Sequence, residues 1–230
     1  MMRTLVTLVG FALAVGVDGA LAAEATIGGV SIKLPPPAGF CELSESNPSD
    51  QRMLTMLGGP LEKSGMKLLT VAADCRQLAD WRRAGKRPLL DDFEQYYTPI
   101  AQMDKLVASP KDAIRQGCVA MRARGNGLVS NGAADLKAKL EGAADKFKLN
   151  VIAFAGVWAE DENGCYTGRI VRGQAENGMD ATQFALSSTT VQKNKYITVA
   201  RTAPYTSADA TADALSKLQS TVAALYAANK

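Results

Sequence analysis

The last quarter of the chain carries the clearest alternation of apolar and polar positions. Phe184–Val191 and Tyr196–Ala203 read as two strands joined by a turn at Lys193-Asn194-Lys195, and Pro204 closes the second strand. From Ser207 an apolar stripe at Ala208, Ala212, Leu215, Leu218, Val222 and Leu225 predicts a helix to about Ala228. A hairpin with a helix laid across it is a minimal core, and the preceding chain is expected to extend it.

Upstream, Val30, Ile32 and Leu34 alternate with Ser31 and Lys33, which predicts a short half-buried strand. Pro35-Pro36-Pro37-Ala38-Gly39 ends it, because proline cannot donate to a ladder. Three prolines also suit a polyproline II ligand, but a rigid exit from the strand is the simpler reading. Phe40 and Cys41 then turn back into the core. Asn47-Pro48 opens a helix with Asp50 near its N-terminus and an apolar face of Met53, Leu54, Met56 and Leu57, which Gly58-Gly59-Pro60 is expected to interrupt. Lys67–Ala73 predicts a buried strand, and Arg76–Ala84 a short helix with Leu78 and Trp81 inward. Leu89–Tyr97 fits either a strand or an aromatic-bearing loop, because Phe93, Tyr96 and Tyr97 do not alternate.

Ser109-Pro110 opens another helix, lined inside by Ile114, Cys118 and Met121 and stopped by Gly125-Asn126-Gly127. Asn131 caps a further helix to about Lys148, with Leu136, Leu140, Ala143 and Phe147 on one stripe. Val151–Trp158 and Cys165–Arg172 predict two strands joined by the polar turn Glu160–Gly164, and Gly173–Asp180 a loop. Local turns join most of the later strands. The expected fold is therefore α+β, a largely antiparallel sheet with helices packed on it, as a single domain over 23–230.

Residues 1–22 read as a signal peptide. Arg3 gives a positive start, Leu5–Val17 is an apolar run of 13 residues, and Ala20-Leu21-Ala22 offers small residues for cleavage after Ala22 or Ala23. The alternative, an uncleaved anchor, is disfavoured by a run shorter than the ~20 residues a bilayer span takes. No cysteine follows the cleavage region, which argues against a lipid anchor, and no later stretch is long and apolar enough for a transmembrane helix. The mature chain is expected in the periplasm or outside the cell.

The cysteines fit that compartment. Cys41, Cys75, Cys118 and Cys165 are even in number and allow three pairings, between which the sequence does not choose. A preference goes to Cys41–Cys75 with Cys118–Cys165, since the first pair would tie the loop after one strand to the end of the next. Their spacing contains no CxxC redox motif or zinc ribbon. Histidine is absent, which removes histidine-based general bases, Ser-His-Asp or Cys-His triads and histidine-ligated metals. The net charge of +3 is too small to argue for nucleic acid.

One basic-aromatic group stands out: Trp81, Arg82, Arg83, Lys86 and Arg87, followed by Phe93, Tyr96 and Tyr97. Near a helix C-terminus these cations would receive a phosphate, a lipid head group or an acidic partner, with Trp81 stacking alongside. The competing reading is a solvated charge cluster that complements the helix end and the nearby Asp91, Asp92 and Glu94. Those acids beside Tyr96 and Tyr97 also suggest a sugar platform, but adjacent residues of one segment rarely supply two opposed carboxylates. Glu160-Asp161-Glu162-Asn163-Gly164 is oxygen-rich yet lacks calcium-loop spacing, and Asn-Gly explains itself as a turn. No GxGxxG or Walker A pattern is present, and no cofactor is expected.

The strand GVSIKLP, the following Gly-Phe and the final hairpin with its helix together resemble the layout of Mog1/PsbP-like α/β proteins, and of small secreted bacterial proteins without assigned function. The resemblance covers the two ends of the mature chain. The helix near 131–148 has no counterpart in that layout. The resemblance implies accessory, binding or assembly roles and carries over no catalytic residue. The expected function is thus a soluble, exported, non-enzymatic binding or accessory protein of the envelope, whose partner is an envelope protein or an anionic ligand. The alternatives are a histidine-free hydrolase that uses carboxylates, and a structural envelope component.

Overall fold

The computed structural model of the chain describes residues 22–84, 90–124, 153–174 and 180–230. Residues 1–21 of the expected leader, the helix expected at 131–148 and its preceding Gly125–Gly127 stop lie outside the described residues.

Strands β1 (Ala23–Ile27) and β2 (Val30–Leu34) pair antiparallel through Gly28-Gly29, a turn that needs positive φ at both positions (52° and 78°). The main sheet contains β3 (Phe40–Glu42), β4 (Met66–Asp74), β5 (Phe93–Pro99), β6 (Ala153–Glu160), β7 (Cys165–Gln174), β8 (Asp180–Gln192) and β9 (Lys195–Pro204). Its order is β3-β4-β5-β9-β8-β7-β6, antiparallel throughout. Four helices accompany it among the described residues: α1 (Pro48–Lys63), α2 (Cys75–Ala84), α3 (Pro110–Arg124) and α4 (Ala208–Ala228). The fold is α+β, with a large antiparallel sheet.

The expected terminal unit lies at the centre. In the β8–β9 hairpin Gln192 pairs with Lys195, so Lys193-Asn194 is a two-residue turn, and both residues take positive φ (45° and 62°). The side chain of Ser207 caps α4 by accepting from the Ala210 N–H. All six residues of the predicted α4 stripe are buried. All but Ala212 join Tyr96, Tyr166, Phe184, Leu186, Ile197 and Val199 from the sheet, and Ile27, Ile32 and Leu34 from the β1–β2 hairpin, in the main core.

Strand alternation divides the sheet into two faces. The cross-strand row Tyr96–Val199–Ser188–Tyr166 faces α4, and the next row, Gln95–Ala200–Ser187–Thr167, faces away. On that second face α1 and α2 pack over β4 with Met53, Val71, Leu78, Trp81 and Phe93, while α3 sits over β6 and β7 through Cys118, Met121, Val157 and Cys165.

Cys41 is bonded to Cys75 and Cys118 to Cys165, leaving no free cysteine. Of the three pairings, the one formed is the preferred one. No described helix is long and apolar enough to cross a membrane.

Three readings are corrected or settled. Gly58-Gly59-Pro60 does not interrupt α1, which continues to Lys63. The proline forgoes a bond to Met56, but Leu54, Leu57 and Leu68 pack there against the second core, and that contact offsets the breakers. Met56, expected inward, is exposed. The segment with two readings, Leu89–Tyr97, is strand β5 from Phe93 to Pro99, and its two outer pairings hold it there whatever its internal pattern.

Candidate functional site

Strands β5 and β9 lie side by side, and Glu94 is the direct cross-strand partner of Arg201. Arg201 shares its phase with Ile197, Val199 and Ala203, so its side chain enters the α4 side of the sheet, where it is 3% exposed. A buried guanidinium is expensive unless it is paired. Arg201 Nη2 donates to both oxygens of Asp92 at 2.9 and 3.1 Å, and the guanidinium carbon stands 4.6 Å from the centre of the Phe40 ring. Nε and Nη1 are buried with no hydrogen-bond partner. A fold selected for stability alone rarely leaves two such donors unmatched, so this cluster marks a candidate site.

Above Arg201 opens a cavity of about 520 Å³. Pro36, Pro37 and Phe40 form one wall, Lys217, Ser220, Thr221 and Ala224 of α4 the other, and Asp74 and Asp92 line the sheet margin. The walls are held by the chain around them. Tyr96 Oη donates to the Pro35 carbonyl, and the Cys75 N–H donates to Gly39 O at 3.1 Å, next to the Cys41–Cys75 bridge. Gly39 takes φ +81°, a conformation that turns the proline run back into β3. Asp74 Oδ1 caps α2 by accepting from the Arg76 and Gln77 N–H groups at 3.0 Å. Gln77 in turn donates to Asp91 at 2.8 Å and accepts from the backbone N–H groups of Asp91 and Asp92. The segment that carries Asp92 is therefore clamped from both sides.

Burial shifts both carboxyls near Arg201. Glu94 is fully buried, and burial raises its pKa to about 8, with the Arg201 charge and nearby Thr221 acting against the rise and Asp92 adding to it. Neither Glu94 oxygen has a hydrogen-bond partner, and Glu94 is not among the residues lining the cavity. It is neutral at pH 7 and lies beneath the floor. Burial also raises Asp92, opposed by Arg201 and then Lys217 and reinforced by Asp74 and Asp91.

The basic-aromatic group read from the sequence is not one surface in the fold. Trp81 is buried in the second core with Phe93. Arg82 binds Asp50, itself fully buried, from Nε at 3.1 Å to each oxygen, and its Nη2 reaches Glu42 O at 3.1 Å. It ties α2 to the start of α1, and its acid is Asp50 rather than Asp91, Asp92 or Glu94. Arg83 is exposed and pairs with Asp80 on its own helix. Lys86 and Arg87 lie outside the described residues. Tyr96 is buried in the main core, whereas Tyr97 is partly exposed on the opposite sheet face. There it joins Gln95, Thr167, Arg169, Ser187, Thr202 and Leu61 around a second, shallower cavity of about 360 Å³. The acidic turn is locally satisfied: Asp161 accepts from the Asn163 and Gly164 N–H groups at 2.8 and 3.0 Å and from Tyr166 Oη at 2.9 Å. Among the described residues no group of His, Cys, Asp or Glu is arranged to hold a metal ion.

Arg201 was the residue that sequence reading passed over. Its signal was present: a cation in the inward phase of a strand whose other inward positions are Ile197, Val199 and Ala203. Lys217 carried no comparable signal, because it lies on the outer side of α4 beside the buried stripe.

No protein-family model matches this chain, and neither curated proteins nor solved structures provide a match.

Proposed function

We propose that this chain is an exported, non-enzymatic binding or accessory protein of the cell envelope, and that the cavity between the Pro36–Phe40 turn and α4 is its ligand site. The observation that carries the reading is the cavity itself, with the buried Arg201 at its base braced by Asp92 and Phe40 and charged side chains on both of its walls. Two disulfides support an oxidising compartment, in line with the leader-like residues 1–22. The accessory roles implied by a Mog1/PsbP-like layout agree with this reading.

A carboxylate-dependent hydrolase is the competing reading, and Glu94 has the raised pKa that a general acid needs. Its oxygens are sealed beneath the floor, out of reach of a substrate in the cavity, which favours binding over catalysis. A purely structural envelope component gives no reason to keep a buried arginine under an open cavity.

Fractionation with peptide mass mapping tests export. The expected product begins at Ala23 or Glu24, lies outside the cytoplasm and carries both disulfides. A full-length, reduced chain in the cytoplasm contradicts the proposal.

A further inference from the structure

The ligand class follows from how charge is distributed around the cavity, and the inference rests on the cavity being the ligand site. Four charged groups line it: Asp74 and Asp92 at the sheet margin, Arg201 at the base and Lys217 on α4. The four charges sum to zero, and Glu94 beneath them, its pKa raised to about 8, is protonated at pH 7 and adds none. The signs are also segregated. Asp74 ends β4 and Asp92 directly precedes β5, while Lys217 stands across the opening on the helix with Ser220, its Nζ in a solvent-exposed ion pair with Asp213 at 2.7 Å that a ligand carboxylate would displace. Arg201 is occupied on its outer nitrogen by Asp92, and its other two nitrogens are buried, so it fixes the Asp92 carboxylate in place. Between the two charged sides run the apolar surfaces of Pro36, Pro37, Phe40 and Ala224.

A lone anion in this cavity meets two carboxylates, and a lone cation meets Lys217 with Arg201 behind it. Each would lose on one side what it gained on the other. A ligand that carries its own separated pair of charges satisfies both sides at once. We propose that the cavity takes a small zwitterion of the α-amino-acid type, as a free amino acid or a short peptide. Its ammonium group donates to Asp74 and Asp92, its carboxylate accepts from Lys217 and Ser220, and its apolar side chain lies along Pro36, Pro37 and Ala224. Arg201 is a positioning residue that holds Asp92.

The test is a set of NMR titrations of the mature, disulfide-bonded chain at pH 7. The probes are leucine, leucyl-leucine, N-acetylleucine (carboxylate only) and leucinamide (ammonium only). Leucine or leucyl-leucine is expected to shift the amide signals of Gly39, Ser220 and Ala224 saturably, with the stronger of the two identifying the source. Each single-charge probe should bind at least about tenfold more weakly, the cost of one lost charge-assisted contact. Lys217→Met should abolish the preference for leucine over leucinamide while leaving the rest of the spectrum unchanged. Lys217 is half exposed and its ion pair with Asp213 is an exposed i,i+4 pair worth little to stability, so its removal does not threaten the fold.

Binding of N-acetylleucine or leucinamide within about threefold of leucine at the same signals overturns the zwitterion assignment and leaves the cavity as a ligand site. Absence of saturable shifts with both zwitterions overturns it as well. The ligand-site reading is tested separately by Ala224→Trp, which fills the cavity from α4.

Discussion

Replacing Glu94 with glutamine tests the electrostatics of the site quantitatively. Glu94 is fully buried, and its pKa is raised from 4.5 to about 8. A carboxyl raised in the fold holds its proton where the unfolded chain has released it. Its contribution to stability is therefore fully present below pH 4.5 and is lost as the pH rises to about 8. At about 1.4 kcal/mol per unit, the loss is roughly 3 kcal/mol by pH 7 and about 5 kcal/mol once the folded pKa is passed. Glu94→Gln removes this titration and keeps the shape of the side chain. Any fixed cost of burying the amide is the same at every pH and cancels when the variant is compared with wild type across pH. Arg201, Asp92, Tyr96 and Thr221, which surround Glu94, are present in both proteins. Urea unfolding, followed by tryptophan fluorescence with both disulfides intact, should show the variant gaining about 3 kcal/mol relative to wild type between pH 4 and pH 7. A stability difference that stays constant within about 1 kcal/mol over that range would refute the burial argument, since Glu94 would then titrate as it does in the unfolded chain.

Further substitutions probe the frame around the site. Arg82→Ala strips the buried Asp50 of its partner and should cost about 2–4 kcal/mol in urea unfolding, with most of the loss recovered when Asp50→Asn is added. Gly168→Ala would place a methyl group 2.3 Å from the buried Trp158 ring, so it should destabilise by about 1–3 kcal/mol and change the near-ultraviolet circular dichroism. Replacing Cys41 and Cys75 together with serine releases a link across a sequence separation of 34, worth about 4 kcal/mol by chain entropy, and frees the Gly39 turn from the end of β4. Urea unfolding reads the first effect, and hydrogen exchange at Gly39 and Phe40 the second.

Periodicity exposed the elements whose cores are local. The β8–β9 hairpin and α4 were legible because the strand phase, the two-residue turn, the Ser207 cap and the helix stripe all point to one arrangement. Strand β1 was not. Ala23–Ile27 begins where the leader pattern ends, and its weak alternation becomes a strand only through pairing with β2 across the Gly28-Gly29 turn. The course of α1 through Gly58-Gly59-Pro60 and the strand state of β5 were likewise set by neighbours distant in sequence. The candidate site was the least legible part. Its walls come from Pro36–Phe40, Asp74, Asp92, Arg201 and the Lys217–Ala224 turn of α4, so no local window contains it. The basic residues around Trp81 made a more conspicuous pattern in the sequence, yet Trp81 turns into a core and Arg82 serves Asp50.

The central claim is that the cavity beside Arg201 holds a ligand, and native mass spectrometry of protein purified gently from its source cells tests it most directly. Ala224 lines the cavity from the exposed side of α4, so Ala224→Trp fills the opening without entering the core. Wild type should carry an added small-molecule mass that is lost on denaturation, and Ala224→Trp, folded by circular dichroism, should carry none. An unliganded wild-type protein, or an adduct retained equally by the filled variant, would contradict the account.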